Sequence, residues 1–184
     1  VRTIDVTPQP WRNGGGVTRE LLAWPPAGDW RVRVSVAAIE RDGPFSSYPG
    51  VERWFAVLAG AGVELTIDGR VRRLRRGDAP SSFSGDADTR CRLLDGPTQD
   101  LNLMLRGARG AMQPAVDGEP YRVPPRAACG LFSAVAGRCA EIDVPPCALL
   151  WFEEPPATLA FIAGERPAAP IGWWLTAAAG QKTR

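Results

Sequence analysis

"WRVRVSVAA", Trp30 to Ala38, decides the fold class. Trp30, Val32, Val34 and Val36 fall on one side of a period-two alternation, and Arg31, Arg33 and Ser35 on the other, the pattern of a half-buried strand. "DLNLMLR", Asp100 to Arg106, repeats it: Leu101, Leu103 and Leu105 face one way, Asp100, Asn102, Met104 and Arg106 the other. Between them "VELTIDGRVRRL", Val63 to Leu74, is two short runs joined by Asp68-Gly69, a two-residue hairpin signal. Turn residues recur at Gly43-Pro44, Pro49-Gly50, Gly77-Asp78 and Gly96-Pro97, and no long helical period competes. Many short strands at close spacing predict an all-β antiparallel sandwich or barrel.

The stretch from Gly107 to Gly130, "GARGAMQPAVDGEPYRVPPRAACG", is rich in Gly and Pro and reads as a connection. Strand-like runs resume at Leu131 to Val135, Ala148 to Phe152, Thr158 to Ile162 and Trp173 to Thr176. The expected organisation is two β-halves, residues 1–108 and 109–184, packed as one unit with strands exchanged between them.

A chain of 184 residues buries a substantial core without covalent staples. The formal net charge of +2 and the scattered arginines argue against a nucleic-acid footprint. The one basic cluster, "RVRRLRR" at Arg70 to Arg76, reads as a solvated strand face. Cys91, Cys129, Cys139 and Cys147 form no CxxC pattern and the chain has 0 histidines, so the thiols are expected to be free in a reducing compartment. The opening "VRTIDVTPQP" has no basic run followed by an apolar one, and no window approaches the roughly 18 apolar residues of a span. A cytoplasmic protein with no membrane partner is expected.

In "PWRNGGGVTRE", Pro10 to Glu20, the triple glycine fits neither the P-loop nor the dinucleotide spacing. Next to a strand it reads as a bulge or tight bend, with φ > 0 expected at Gly15, or as a rim that lets Asn13 and Thr18 point into a cavity. The two are compatible.

Taken in order, "PWRNGGGVTRELLAW", "FSSYPGVERWFAVLAG", "FSGDADTRCRLLDGPTQDLNLMLR" and "LLWFEE" resemble the HutD/Ves family over nearly the whole chain. The resemblance implies a cupin-like (RmlC-type) double β-barrel, a regulatory role in histidine utilisation, and binding of a formylated acid such as N-formylglutamate in the N-terminal half. Against the metal-binding cupin motifs, Gly60 matches the closing glycine of the first, which sets Arg53 where the metal-binding Glu stands, and the histidine positions fall within Ser46 to Pro49. In the second motif Gly77 and Phe83-Ser84-Gly85 match, and Asp88 falls on the histidine position. The scaffold glycines are kept and the metal ligands are gone.

A guanidinium offers only donors and repels cations, so Arg53 converts a cation site into an anion site suited to a planar carboxylate. Ser46 and Ser47 would add hydroxyl donors, Asp100 would orient Arg53 or accept from Arg106, and Asn102 would bond an amide or formyl group. Trp11, Trp30 and Phe83 would be core or pocket wall. The expected ligand is formate or an N-formylglutamate-like acid, bound by Arg53, Asn13, Thr18, Ser46, Phe83, Asp100, Asn102 and Trp11, with no cofactor, metal or nucleic acid and with a homodimer compatible. The alternatives are a metal-free cupin enzyme (isomerase, epimerase or hydrolase), with Asp86, Asp88 or Asp100 as base, and a partner-binding protein with a vestigial pocket. Lack of a histidine base weighs against catalysis. Elemental analysis of the purified protein is expected to find no stoichiometric transition metal; near one equivalent, removable only by chelator, would overturn the anion-site expectation.

Overall fold

The alternation in the sequence becomes ladder pairing in the structure, a computed structural model that describes residues 1–27, 29–164 and 170–180. Among the described residues there is no α-helix, only a short 3-10 turn at Thr3–Asp5, and so no helix long and apolar enough to cross a membrane.

Val6–Arg106 forms one unit. Its strands are β1 (Gln9–Pro10), β2 (Gly16–Trp24), β3 (Val32–Ile39), β4 (Gly43–Pro44), β5 (Val51–Ala59), β6 (Val63–Ile67), β7 (Arg70–Leu74), β8 (Ser81–Ser84), β9 (Thr89–Leu93) and β10 (Thr98–Arg106). They build a six-stranded sheet, β1-β2-β3-β10-β5-β8, and a four-stranded sheet, β4-β9-β6-β7. Phe55, Val57, Val63, Leu65, Phe83 and Cys91 pack together as the core of this unit. Burying a Leu or Phe side chain is worth about 1.5–3 kcal/mol, so a handful of such residues anchors both sheets.

The register of β10 builds the site. Asn102 lies opposite Ser35 of β3 and Phe55 of β5, Met104 opposite Arg33 and Arg53, and Asp100 opposite Ala37 and Val57, after a bulge at Gln99/Asp100. Directly paired residues share a face, so the polar side of β10 stands with Arg33, Ser35 and Arg53. The β6–β7 hairpin forms as expected, with φ of 47° at Asp68 and 77° at Gly69, the two positive values that a type I′ turn requires.

The basic cluster is not wholly solvated. Arg72 Nη1 donates to Ser81 Oγ at 2.8 Å and to the Ser82 carbonyl at 3.3 Å, tying β7, at the edge of one sheet, to β8, at the edge of the other. Its neighbours Arg73 and Arg92 pair with Glu64 on the outer face of β6.

The second unit combines Val1–Asp5 with the chain from Gly107 on. Its strands are β11 (Ala108–Pro114), β12 (Tyr121–Arg122), β13 (Ala127–Ser133), β14 (Gly137–Cys139), β15 (Ile142–Val144), β16 (Ala148–Phe152), β17 (Thr158–Leu159), β18 (Phe161–Ala163) and β19 (Gly172–Ala179). They form sheets β11-β19-β13-β16, β15-β14-β18 and β12-β17. Cys129, Leu131, Phe161 and Trp174 fill the core, and Tyr121 stacks on Trp174 at 5.0 Å. The first residues belong here because Arg2 bridges Ala148 and the Val1 ammonium donates to the Leu149 carbonyl at 2.8 Å.

The fold is cupin-like and of jelly-roll type, but the expected double barrel is not closed: among the described residues no hydrogen-bonded ladder returns on itself, and β1, β8, β4 and β7 stay as edges. The boundary also differs from 108/109, falling at Arg106/Gly107 with Val1–Asp5 assigned to the later unit. The Gly- and Pro-rich run read as a connection contains β12, the start of β13, and β11, which pairs along its length with β19. There the partner strand supplies the hydrogen bonds, so pairing overrides a weak local preference.

The triple glycine is the turn between β1 and β2, and its conformational demands fall one residue to either side of the expected position. Positive φ is at Gly14, 66°, and a Cβ on Gly16 would lie 2.2 Å from the Ala38 carbonyl of the neighbouring strand. At Gly15 a Cβ would meet only the tip of Asn13. Gly16→Ala is therefore expected to cost about 1–3 kcal/mol, since β2 and β3 must part to admit a methyl group, and Gly15→Ala clearly less. Thermal denaturation of both variants checks this; equal melting temperatures would show that the strands absorb the methyl group freely.

Candidate functional site

A cavity of about 620 Å3 opens on the polar side of the six-stranded sheet of the Val6–Arg106 unit. Its floor comes from β3, β5 and β10 through Arg33, Ser35, Arg53, Asp100, Asn102 and Met104, and its rim from Gln9 to Asn13, Thr18 and the segment from Pro44 to Tyr48. That size falls within the range of small-molecule sites.

Arg53 is 6% exposed. Its Cζ lies 5.0 Å from the Phe45 ring centroid, 5.1 Å from Phe83 and 5.7 Å from Tyr48, three rings whose negative faces attract the cation. Nη1 donates to the Ser46 carbonyl and Nη2 to Asn102 Oδ1, each at 3.4 Å, near the limit of a hydrogen bond, while Nε has no partner. Burial pulls the guanidinium down to about 10, partly offset by the charge of Asp100, and it stays protonated at neutral pH.

Asp100 is 1% exposed. Asn102 Nδ2 donates to Asp100 Oδ1, and Oδ2 has no partner. Burial pushes this carboxyl up to about 8, against the opposing pull of Arg53 and the Asn102 bond. A chain of donors thus runs from Arg53 to Asn102 to Asp100 and ends at an unused oxygen.

The rim side chains are largely engaged with each other. Trp11 Nε1 donates to Thr18 Oγ1 at 2.7 Å, and Asn13 Oδ1 accepts from the Gly15 amide at 3.0 Å, fixing the β1–β2 turn. Arg33 Nε donates to Glu20 at 2.6 Å and its Nη1 to the Tyr48 hydroxyl at 3.3 Å. The segment that covers Arg53 is held from below: Tyr48 N donates to the Gly85 carbonyl and Gly85 N to the Val51 carbonyl, and a Cβ on Gly85 would lie 2.4 Å from the Tyr48 carbonyl.

Seven of the eight expected ligand residues, Trp11, Asn13, Thr18, Ser46, Arg53, Asp100 and Asn102, line this one cavity. Phe83 does not: it belongs to the core and meets Arg53 with its ring. Ser46 engages Arg53 through its backbone carbonyl, and the Ser47 hydroxyl, expected as a donor to a ligand, donates to the Gly85 carbonyl instead. Arg106 stacks on Trp30 at 4.3 Å, away from Asp100, and Trp30 is only half-buried. Asp88 is exposed beside Arg90, because the turn after β8 carries it outward.

This donor set does not fit the divalent metal of metal-binding cupins. The buried Arg53 offers only donors, the chain has 0 histidines, and among the described residues no three His, Cys, Asp or Glu side chains converge.

A family model described as HutD matches residues 3–135, which include every cavity residue. The chain belongs to the HutD family. Protein Ves of Cronobacter sakazakii is 32% identical over 158 residues, 84% of this chain and 87% of that protein. An uncharacterised 21.2 kDa protein in the hutC 3′ region of Pseudomonas putida is 37% identical over 113 residues, 59% of this chain and 58% of its own. The solved structure of HutD from Pseudomonas fluorescens SBW25, in a formate condition, superposes with a TM-score of 0.76 at 27% identity over 96% of both chains.

In this HutD-family chain, sequence reasoning missed Arg33, Ser35, Phe45 and Tyr48. Arg33 and Ser35 carried a usable signal, since both sit on the polar side of the alternation in β3. Phe45 and Tyr48 lie in the segment between β4 and β5, outside any strand, and only the tertiary structure brings them over Arg53.

The raised Asp100 carboxyl has a consequence for stability. Between the ordinary 3.8 and about 8 the unfolded chain has lost this proton while the folded protein keeps it. Folding takes up a proton in that window, so stability falls as pH rises through it, by up to about 1.4 kcal/mol per pH unit from this group. Asp100→Asn should remove that slope. Urea denaturation at pH 5, 6, 7 and 8 compares the two proteins, and parallel curves would show that Asp100 is ionised in the fold.

Proposed function

We propose that this HutD-family chain binds a small carboxylate metabolite, of the size and chemistry of N-formylglutamate, in the cytoplasm and has a regulatory role in histidine utilisation. One observation carries the reading: a buried guanidinium, with one unpaired nitrogen and two long hydrogen bonds, opens onto a cavity of about 620 Å3. A carboxylate would replace weak contacts by two charge-assisted ones in a site already ordered by aromatic rings. Two facts about relatives support it: the Pseudomonas putida protein is named for the hutC region, and the Pseudomonas fluorescens HutD structure comes from a formate condition. The cavity exceeds what formate fills, which favours a larger acid whose remainder meets the Trp11 to Thr18 rim.

A metal-free enzyme is the second reading, favoured by Asp100, a buried carboxyl pushed close to neutral pH as general acids and bases are. Turnover of N-formylglutamate followed by NMR separates the two; product formation abolished in Asp100→Asn would favour the enzyme.

Calorimetry tests the binding reading. N-formylglutamate is expected to bind more tightly than acetate, Arg53→Ala to lose small acids without unfolding, and Arg53→Lys to recover only part. Lysine keeps the charge and loses the two-pronged fit, a deficit of about 1–2 kcal/mol. Unchanged affinity in Arg53→Ala would move the site elsewhere on the molecule.

A further inference from the structure

We infer that Asp100 meets the bound acid as a hydrogen-bond donor, so that the site takes up a carboxylate together with a proton held between Asp100 Oδ2 and the ligand. This rests on the anion-binding reading above and adds to it how the site is regulated by pH.

The hydrogen-bond directions lead there. A guanidinium only donates, so the Asn102 oxygen that meets Arg53 Nη2 must be its carbonyl, and the amide nitrogen is thereby turned toward Asp100. Asp100 Oδ1 is then an acceptor from Asn102, and the remaining oxygen, Oδ2, is buried on the cavity wall with no partner. Its neighbours across the ladder, Ala37 and Val57, have no side-chain donor to give it. Asn102 stands between Arg53 and Asp100, and the carboxyl takes its hydrogen bond from that amide.

Charge balance decides the protonation. With Asp100 ionised, Arg53 and Asp100 already cancel, and an entering carboxylate leaves a net negative charge in a desolvated site beside an oxyanion that repels it. With Asp100 protonated, the site is positive, the ligand neutralises it, and Oδ2–H points a donor at the ligand oxygen. The other charged and titratable groups facing the carboxyl do not compete for this role. Cys91, from β9, has a thiol that burial pushes up to about 12. Arg33, from β3, is held by Glu20 of β2 and by Tyr48. Arg53, from β5, is the cation already counted. The carboxyl's rise to about 8 agrees with this state.

The test is calorimetry with formate and with N-formylglutamate from pH 6 to 9, in two buffers of different ionisation enthalpy. Near pH 6 no proton uptake is expected; toward pH 9 the wild type should take up close to one proton per ligand, and affinity should fall by about tenfold per pH unit above the carboxyl's pKa. Asp100→Asn, whose amide is a permanent donor, should bind with a flat profile and no uptake, and Asp100→Leu should bind poorly throughout. Tight binding by the wild type with a flat profile and no proton uptake would overturn the inference while leaving the anion site standing. A slope that survives in Asp100→Asn would also overturn it, assigning the effect to Arg53. Absence of acid binding at every pH would remove the anion site itself, and the inference with it. Carbon-13 NMR of Asp-labelled wild type needs neither ligand nor variant folding: a resonance with the shift of a protonated carboxyl at pH 7 is expected, and its absence counts against the proposal.

Discussion

A guanidinium enclosed in a β-unit, with aromatic rings and a single amide where a carboxylate would ordinarily stand, is the constraint around which the Val6–Arg106 unit is arranged. Burying a charge costs several kcal/mol unless polar partners offset it. Here the offset is spread over three ring faces, the Ser46 carbonyl and the Asn102 side chain, each contact individually weak. Such a cation is held firmly in position but remains electrostatically unsatisfied.

The surrounding backbone keeps it so. Gly85 lets the Tyr48 carbonyl come close, and its backbone accepts from Tyr48 N and donates to the Val51 carbonyl, tying down the segment whose Phe45 and Tyr48 rings stand over Arg53. Phe83, paired with Arg53 in the ladder, supports the cation from the core side. Glu20, Arg33 and Tyr48 form a second polar group whose charges are already matched. At this site the buried polar atoms left without a partner are Arg53 Nε and Asp100 Oδ2.

The contrast with metal-binding cupins is one of sign on a shared scaffold. Histidine and glutamate side chains converging from strands present lone pairs to a cation; here a buried guanidinium, which can only donate, lines the cavity. The scaffold glycines serve the backbone, Gly60 and Gly85 through close approach and Gly77 through a φ of 94°, and that need is indifferent to what the cavity holds.

Period-two alternation in β3 and β10 and the Asp68-Gly69 turn made the all-β class legible in the sequence, because strand pleat and turn chemistry are local properties, while the cupin-like fold and the attention to Arg53 came from the resemblance to a family. The same locality explains the errors. The φ > 0 expected at Gly15 belongs to Gly14, and Gly16 is required by a carbonyl on another strand. β11 forms within a Gly- and Pro-rich run because β19 pairs with it, and Val1–Asp5 joins the later unit through contacts with residues 147–149. Whether the polar side of a strand faces water or a cavity is likewise undetermined by its own residues: Asp100 and Asn102 alternate with leucines as a solvated face would. Sequence determined the pleat and the residue types. Only the tertiary structure, by bringing β3, β5 and β10 into register under the Phe45 to Tyr48 segment, decided that those polar groups would be buried together, leaving Asp100 Oδ2 without a partner.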